Sequence, residues 1–224
     1  MFEEVKTFIK IKNGWDDKRI SEKVLYLPNY YPQEYKRKDF DVNDDFIDIG
    51  CFGAVRPLKN HLLQAIASVK FADHIGKKLR FHVNVGRAEI KGEPVMSNLH
   101  HLFGHLYESG HHLITNTWTP REEFLTLCAK MDVGLQVSFS ETFNIVGADL
   151  ISQGVPLVLS EEIPWADPLY CARPAYCDEI FRALVITYQC PHQNVESHQQ
   201  RLTTYTSTSE NIWVSHFIYQ IHIK

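Results

Sequence analysis

The chain of 224 residues contains no apolar run of the roughly 18–20 residues that a bilayer-spanning helix requires. Its start, Met1-Phe2-Glu3-Glu4, lacks the basic and apolar stretches of a signal peptide. It lacks an excess of positive charge: 23 Lys and Arg stand against 27 Asp and Glu, a formal net charge of −4. That balance argues against the broad basic field of a nonspecific nucleic-acid binder, and no nucleic-acid partner is expected. Cysteine is sparse and unpaired in pattern. Cys51, Cys128, Cys171, Cys177 and Cys190 are odd in number, scattered, and include no C-x-x-C. Free thiols in a reducing cytoplasm are the simplest reading. There is neither a Walker loop nor a G-x-G-x-x-G after a strand. What is present is 44% hydrophobic and 12% aromatic residues, enough to bury the core of one full domain.

Three parts are expected. Residues 1–22 are a charged N-terminal segment, residues 23–188 a ligand-binding domain, and residues 189–224 a polar connector followed by a C-terminal helix. Lys23 to Leu27 reads as a strand stopped by Pro28, and residues 34–45 as a solvated charged linker. From residue 46 the pattern is regular. Strands are expected at Phe46–Gly50, Leu79–Val85, Leu113–Thr115, Val133–Val137 and Val155–Leu159. Helices lie between them: one with Leu62, Ala65, Ile66 and Val69 on its apolar face, then residues 95–109, Pro120 to about Lys130, and Phe143 to Ser152. Strands that are nearly all apolar and alternate with helices predict an α/β fold, a doubly wound Rossmann-like parallel sheet with helices on both faces. Ligands of such sheets bind outside the carboxyl ends of the strands, which directs attention to loops 50–60, 84–90, 115–120 and 138–145.

Two of these loops carry candidate chemistry. Gly53-Ala54-Val55-Arg56-Pro57-Leu58-Lys59-Asn60 joins a strand to a helix, where backbone N–H groups and the positive helix end suit an anion. Arg56 adds a planar fork and Lys59 a point charge, both suited to phosphate. On residue types alone an ordinary surface turn with two solvated cations fits the loop better. The second loop, Ser138 to Asp149, also follows a strand and enters a helix, and it carries Glu141 and Asp149 eight residues apart. That spacing is about two helical turns, which puts both acids on the same side, with Glu141 before or at the helix start and Asp149 within the helix. The plainer alternative is an acid complementing the helix dipole plus an unrelated surface aspartate.

The run S-x-x-E-T-F-N-I-V-G-A-D-L-I-S-Q-G-V-P-L-V, residues 138–158, resembles the signature of the group 1 glycosyltransferases, a large retaining family that uses nucleotide sugars. F-G-A-V-R-P-L-K-N at 52–60 resembles that family's diphosphate loop, and L-P-N at 27–29 is similar to the Pro-Asn that opens its C-terminal domain. The resemblance implies the donor-binding half of a GT-B glycosyltransferase. It implies catalytic roles for Glu141, Lys59 and Arg56, with Lys59 on the donor diphosphate and Glu141 on the transferred sugar. It implies donor contacts at Gly53 and Asn60, at the backbone of Thr142, Phe143, Asn144 and Ile145, at Thr117 and Trp118 beside the base, and at Asp149 on the ribose. The implied donor is a UDP- or GDP-sugar, with no resident cofactor and no metal.

The chain departs from that pattern in three places. Asp149 stands where the family usually has Glu, Ala54 where it often has Arg, and only some 22 residues precede Lys23. An acceptor domain of about 200 residues would be expected there on domain norms. Two functions of different class therefore follow. One is a hexosyltransferase acting on a glycan, lipid or protein acceptor. The other is a nucleotide-sugar-binding module completed by another chain or by a second copy. A third reading, an interaction domain with decorative charges, needs neither loop. In the last helix, with Ile212 among its apolar members, the stripe Trp213, Phe217 and Ile221 fits a second subunit or packing on the chain's own sheet equally well. His101 and His105 stand at the i, i+4 spacing of zinc pairs, but no third ligand accompanies them. Tyr26, Tyr30, Tyr31 and Tyr35 are expected at an edge or interface.

Overall fold

The computed structural model describes residues 2–32, 34–39, 45–86 and 92–221. Five strands form one sheet: β1 (Phe46–Gly50), β2 (Lys78–Asn84), β3 (His112–Asn116), β4 (Val133–Gln136) and β5 (Leu157–Leu159). Their spatial order is β3-β2-β1-β4-β5, and every pairing is parallel. The helices that follow them are α3 (His61–His74), α4 (Glu93–Leu106), α5 (Arg121–Cys128), α6 (Ile145–Ser152), α7 (Cys177–Gln189) and α8 (Pro191–Ile221). The N-terminal segment holds α1 (Phe2–Asn13) and α2 (Asp17–Lys23). The expected doubly wound α/β sheet is therefore present. None of the described helices is long and apolar enough to cross a membrane.

Alternation along the strands sorts the core into two layers. Ile47, Ile49, Leu79, Phe81, Val83 and Leu135 pack with Phe71, Leu99, Phe103 and Leu184 from α3, α4 and α7. Leu157 and Leu159 pack with Phe52, Cys128, Leu150, Ile151, Trp165 and Leu202 on the opposite face. Gly134 in β4 sits where α6 approaches the sheet. A Cβ there would lie 2.7 Å from both Leu150 Cδ1 and Leu157 Cδ1. Gly134→Ala is therefore expected to cost about 1–3 kcal/mol through overpacking. Urea unfolding measures it, and a change under a few tenths would show that α6 yields freely.

The chain divides into two compact units, Tyr31–Tyr205 and Met1–Tyr30 with Thr206–Lys224. The larger contains the sheet. In the smaller, Ile20 of α2 is buried, the Trp213 indole donates to the Pro28 carbonyl at 2.7 Å, and the Phe2 and Tyr26 rings lie 5.3 Å apart.

Several expectations are corrected. Lys23–Leu27 is not a strand: Lys23 closes α2, and residues 24–30 take no regular form. Alternating apolar residues need a ladder partner, and this segment has none among the described residues. Residues 189–209 are not a connector but most of α8. Its buried stripe through the larger unit is mostly polar, Asn194, His198 and Leu202, so apolar periodicity does not reveal it. Asn194 accepts from Leu157 N at 2.8 Å and donates to Leu157 O at 2.9 Å, completing the ladder at the edge of β5. The charged linker is only partly solvated, since the Lys36 amide donates to Ser152 O at 2.7 Å and Lys38 Nζ donates to Met131 O. Residues 40–44 of that linker and 87–90 of the 84–90 loop lie outside the described residues. On α3, Ile66 is exposed, whereas His61, Gln64 and Ser68 are buried. In the last helix Ile212 and Phe217 are exposed, and the Ile221 side chain lies outside the described residues.

Candidate functional site

The strand order reverses between β1 and β4, and their outgoing loops open a crevice there. These are the two loops that carry the candidate residues. The first leaves β1, passes Gly53 and a 3-10 turn at Pro57–Lys59, and enters α3 through Asn60 in the left-handed conformation (φ 58°). The second leaves β4, passes Glu141, and enters α6 through Asn144, also left-handed at φ 58°. Asparagine tolerates that backbone region because its short amide bonds locally. Asn144 Oδ1 accepts from Gly147 N at 2.7 Å and so caps α6.

A set of hydrogen bonds, several of them buried, binds the two loops together. Phe139 N donates to Leu58 O at 2.8 Å. Asn60 Nδ2 donates to Val137 O at 3.2 Å and to Pro174 O at 2.8 Å. Gln64 Nε2 donates to Lys59 O, and Gln64 Oε1 accepts from Val137 N, each at 2.7 Å. Gln136 at the end of β4 donates to Phe52 O at 3.1 Å and accepts from Asn144 Nδ2 at 3.3 Å. The result is direct pairing of Lys59 Nζ with Glu141 Oε1. The side chains of this pair are only 12% and 9% exposed, and Ser138 Oγ donates to the same carboxylate oxygen at 3.2 Å. Two charges withdrawn from water this far are costly unless each has a strong partner.

A cleft of about 290 Å³ lies at the N-terminus of α6, lined by Gly53, Asn84, Trp118, Thr119, Arg121, Phe124, Ile145, Val146 and Asp149. Gly53, at φ 109°, adopts a backbone state that other residues rarely take, and its amide donates to Asn84 Oδ1 at 2.9 Å. Trp118 is 42% exposed at the rim of this cleft. Ile145 and Val146 stand in the first turn of α6, whose N–H groups have no partner within the helix. Asp149 Oδ1 accepts from Tyr31 Oη at 2.7 Å and pairs with Arg121 Nη1 at 2.8 Å. Burial raises the Asp149 carboxyl above its usual range, while Tyr31 and Arg121 pull it back.

The structure thus brings Gly53, Lys59, Glu141, Ile145, Asp149 and Trp118 to the same end of the sheet. Other expected site residues serve differently. The Asn60 and Asn144 side chains are spent on the scaffold. Phe143 is core, with its ring 6.2 Å from Trp165 and 5.5 Å from Tyr205, though its carbonyl accepts from the Trp165 indole at 2.7 Å. Arg56, Thr117 and Thr142 are exposed on the crevice loops. As expected, Glu141 precedes α6, which begins after the cap Asn144, and Asp149 lies within that helix. Tyr31 is buried against Asp149 rather than at an edge. Tyr31, Gln64, Arg121 and Gln136 were not signalled by sequence. Each is an ordinary residue type whose role comes only from a partner distant in the chain. All five cysteines are free, and the described residues contain no group of three potential metal ligands.

His61 opens α3 directly behind Lys59 and is buried with both ring nitrogens unpartnered. Burial, with the Lys59 charge adding to it, pushes its pKa down to about 4; burial does the same to His198. Both are neutral in the folded protein at pH 7 and take up protons more readily when unfolded. Stability is therefore fully present above the unfolded value near 6.5 and is lost as pH falls from there toward about 4. Urea midpoints are expected to drop between pH 7 and pH 5. His198→Gln should flatten that slope, and an unchanged slope would contradict the assignment.

No protein-family model and no curated protein matches the sequence. Solved structures do match the fold. A UDP-forming α,α-trehalose-phosphate synthase from Burkholderia xenovorans superposes with a TM-score of 0.64 at 13% identity, over 80% of this chain and 44% of that one. The α,α-trehalose 6-phosphate synthase of Burkholderia multivorans gives 0.64 at 12% identity, over 80% and 42%. An E. coli trehalose-6-phosphate structure bound with UDP-2-fluoro glucose gives 0.59 at 16% identity, over 79% and 44%. The chain therefore spans less than half the length of these neighbours, and the shared property is the fold.

Proposed function

We propose that the sheet-bearing unit is the donor-binding half of a glycosyltransferase and that it holds a nucleoside diphosphate sugar in the β1–β4 crevice. One observation carries the reading: Lys59 and Glu141, from loops 82 residues apart, meet in a buried ion pair at the switch point of the sheet. Such a pair is a weak source of stability, but it fits a ligand with a diphosphate beside a polyol. Donor binding would exchange the pair for two better-matched contacts, Lys59 Nζ with the diphosphate and Glu141 with sugar hydroxyls. The N–H groups opening α6, together with Arg56, would share the phosphate charge. Trp118 would face the base, and Asp149 the ribose. The fold shared with UDP-forming synthases supports this choice of ligand class.

In the transfer itself the bond between the anomeric carbon and the diphosphate oxygen breaks as the acceptor hydroxyl forms its own bond to that carbon and passes its proton to the departing diphosphate. The leaving diphosphate gains negative charge. Lys59 and the α6 amides, already aimed at it, stabilise that charge without reorganising and without a resident metal. Retention, a hexose donor based on UDP or GDP, a glycan, lipid or protein acceptor, and action in the cytoplasm complete the proposal. Isothermal titration with UDP, GDP and ADP tests it: saturable binding of at least one is expected, and no binding of any at about 1 mM removes the reading.

The match covers 42–46% of the neighbours' chains, so a second reading keeps donor binding alone for the matched unit. The unit would bind donor but transfer only when a second copy or a separate acceptor-domain chain completes the cleft. Release of free nucleoside diphosphate from a nucleotide sugar by the purified chain supports the first reading over this one.

A further inference from the structure

Asp149 is held in an unusual way for a cleft carboxylate. It is almost fully buried, yet it lines the 290 Å³ cleft. Both of its described partners use the same oxygen: Tyr31 Oη donates to Oδ1 at 2.7 Å, and Arg121 Nη1 meets Oδ1 at 2.8 Å. Arg121 Nη2 also donates to Tyr31 Oη at 3.1 Å, closing a three-membered ring of contacts. Tyr31 is 2% exposed and comes from a segment 118 residues away in sequence, whereas Arg121 stands at the start of α5 with half its side chain in the open. A buried carboxylate pinned through one oxygen has a fixed carboxyl plane. Its other oxygen, Oδ2, is then presented in one orientation only.

We propose that Tyr31 and Arg121 are positioning residues. By fixing Asp149 through Oδ1 they aim Oδ2 at the vicinal hydroxyls of a ribose and so set the preference for ribonucleotides over deoxyribonucleotides. This inference rests on the donor-binding reading above and adds to it the residues that enforce ribose selection. The chemistry is specific. A carboxylate oxygen accepts strongly from a hydroxyl. A site built around that bond rejects the analogue lacking the hydroxyl, because its buried oxygen is then left unpaired. Arg121 has a second consequence. Its charge offsets that of Asp149, which favours the ionised carboxyl against the effect of burial and lessens its repulsion of a nearby diphosphate.

The test compares binding of a nucleoside diphosphate with that of its 2′-deoxy counterpart, using whichever of UDP, GDP or ADP binds the wild-type chain best. The wild type is expected to prefer the ribo form by about tenfold or more, the range for a hydrogen bond to a charged group. Tyr31→Phe, which keeps the ring, and Arg121→Ala are each expected to reduce that ratio to about threefold or less, and Arg121→Lys to restore part of it. A merely structural role would lower the melting temperature, or weaken both ligands equally, and leave the ratio unchanged; that result overturns the proposal. A wild-type ratio near one also overturns it, while leaving donor binding itself intact. Failure of the wild type to bind any of the three nucleotides overturns both readings together.

Discussion

Replacing Lys59 by alanine is expected to weaken binding of the nucleoside diphosphate by about 10- to 100-fold while leaving the corresponding nucleoside nearly unchanged. On the proposed reading the ammonium supplies a charge-assisted bond to phosphate and nothing to the base or ribose. Its removal also strips Glu141 of its ion-pair partner in a largely buried place, so a bare carboxylate faces the incoming phosphates. The loss therefore has two parts, a missing attraction and a new repulsion. Lys59→Ala combined with Glu141→Gln separates them, because neutralising the acid should recover part of the affinity. Calorimetric titration of single and double variants gives the numbers. Equal losses for nucleoside and nucleoside diphosphate would show that Lys59 acts through the fold, and the phosphate assignment would fall.

Trp165→Ala is expected to have the largest effect on stability, a loss of about 3–5 kcal/mol. The side chain is fully buried and among the largest in the core. Its ring stands 6.2 Å from Phe143 and 6.1 Å from His198. Its indole N–H also ties down the Phe143 carbonyl, two residues beyond Glu141. Truncation opens a cavity and frees the loop that carries the acid. Trp165→Phe keeps much of the volume and removes only the donor, leaving a buried carbonyl unpaired at a cost of about 1–3 kcal/mol. Urea denaturation ranks the two. A loss below about 1 kcal/mol for the alanine variant would mean that the acidic loop is not anchored through the core.

The sheet and its order of helices were legible because their signal is apolar: β1 through β5 lie within about two residues of where alternation and apolar runs put them. The loops at the strand ends were legible for the same reason; Lys59 and Glu141 stand out there by residue type, while the roles expected of them came from the family resemblance. Where the signal is polar, sequence reading failed. The buried face of α8 is built on Asn194 and His198, and that of α3 includes Gln64 and Ser68. Their burial depends on partners such as the ends of Leu157 and Val137, which no local pattern encodes. Lys23–Leu27 failed in the opposite sense. It has strand composition but no strand to pair with among the described residues, and the adjacent Pro28 carbonyl accepts from the Trp213 indole. The ring of Tyr31, Arg121 and Asp149 joins three segments far apart in sequence, and only the folded chain brings them together.

A crystal structure of the chain soaked with the nucleoside diphosphate sugar it binds best examines the whole account in one view. The account predicts phosphate oxygens on Lys59 Nζ and on the first amides of α6, the Glu141 carboxylate turned from lysine to the sugar, and the base against Trp118. Density for the diphosphate elsewhere, with the Lys59–Glu141 pair still closed, would contradict it.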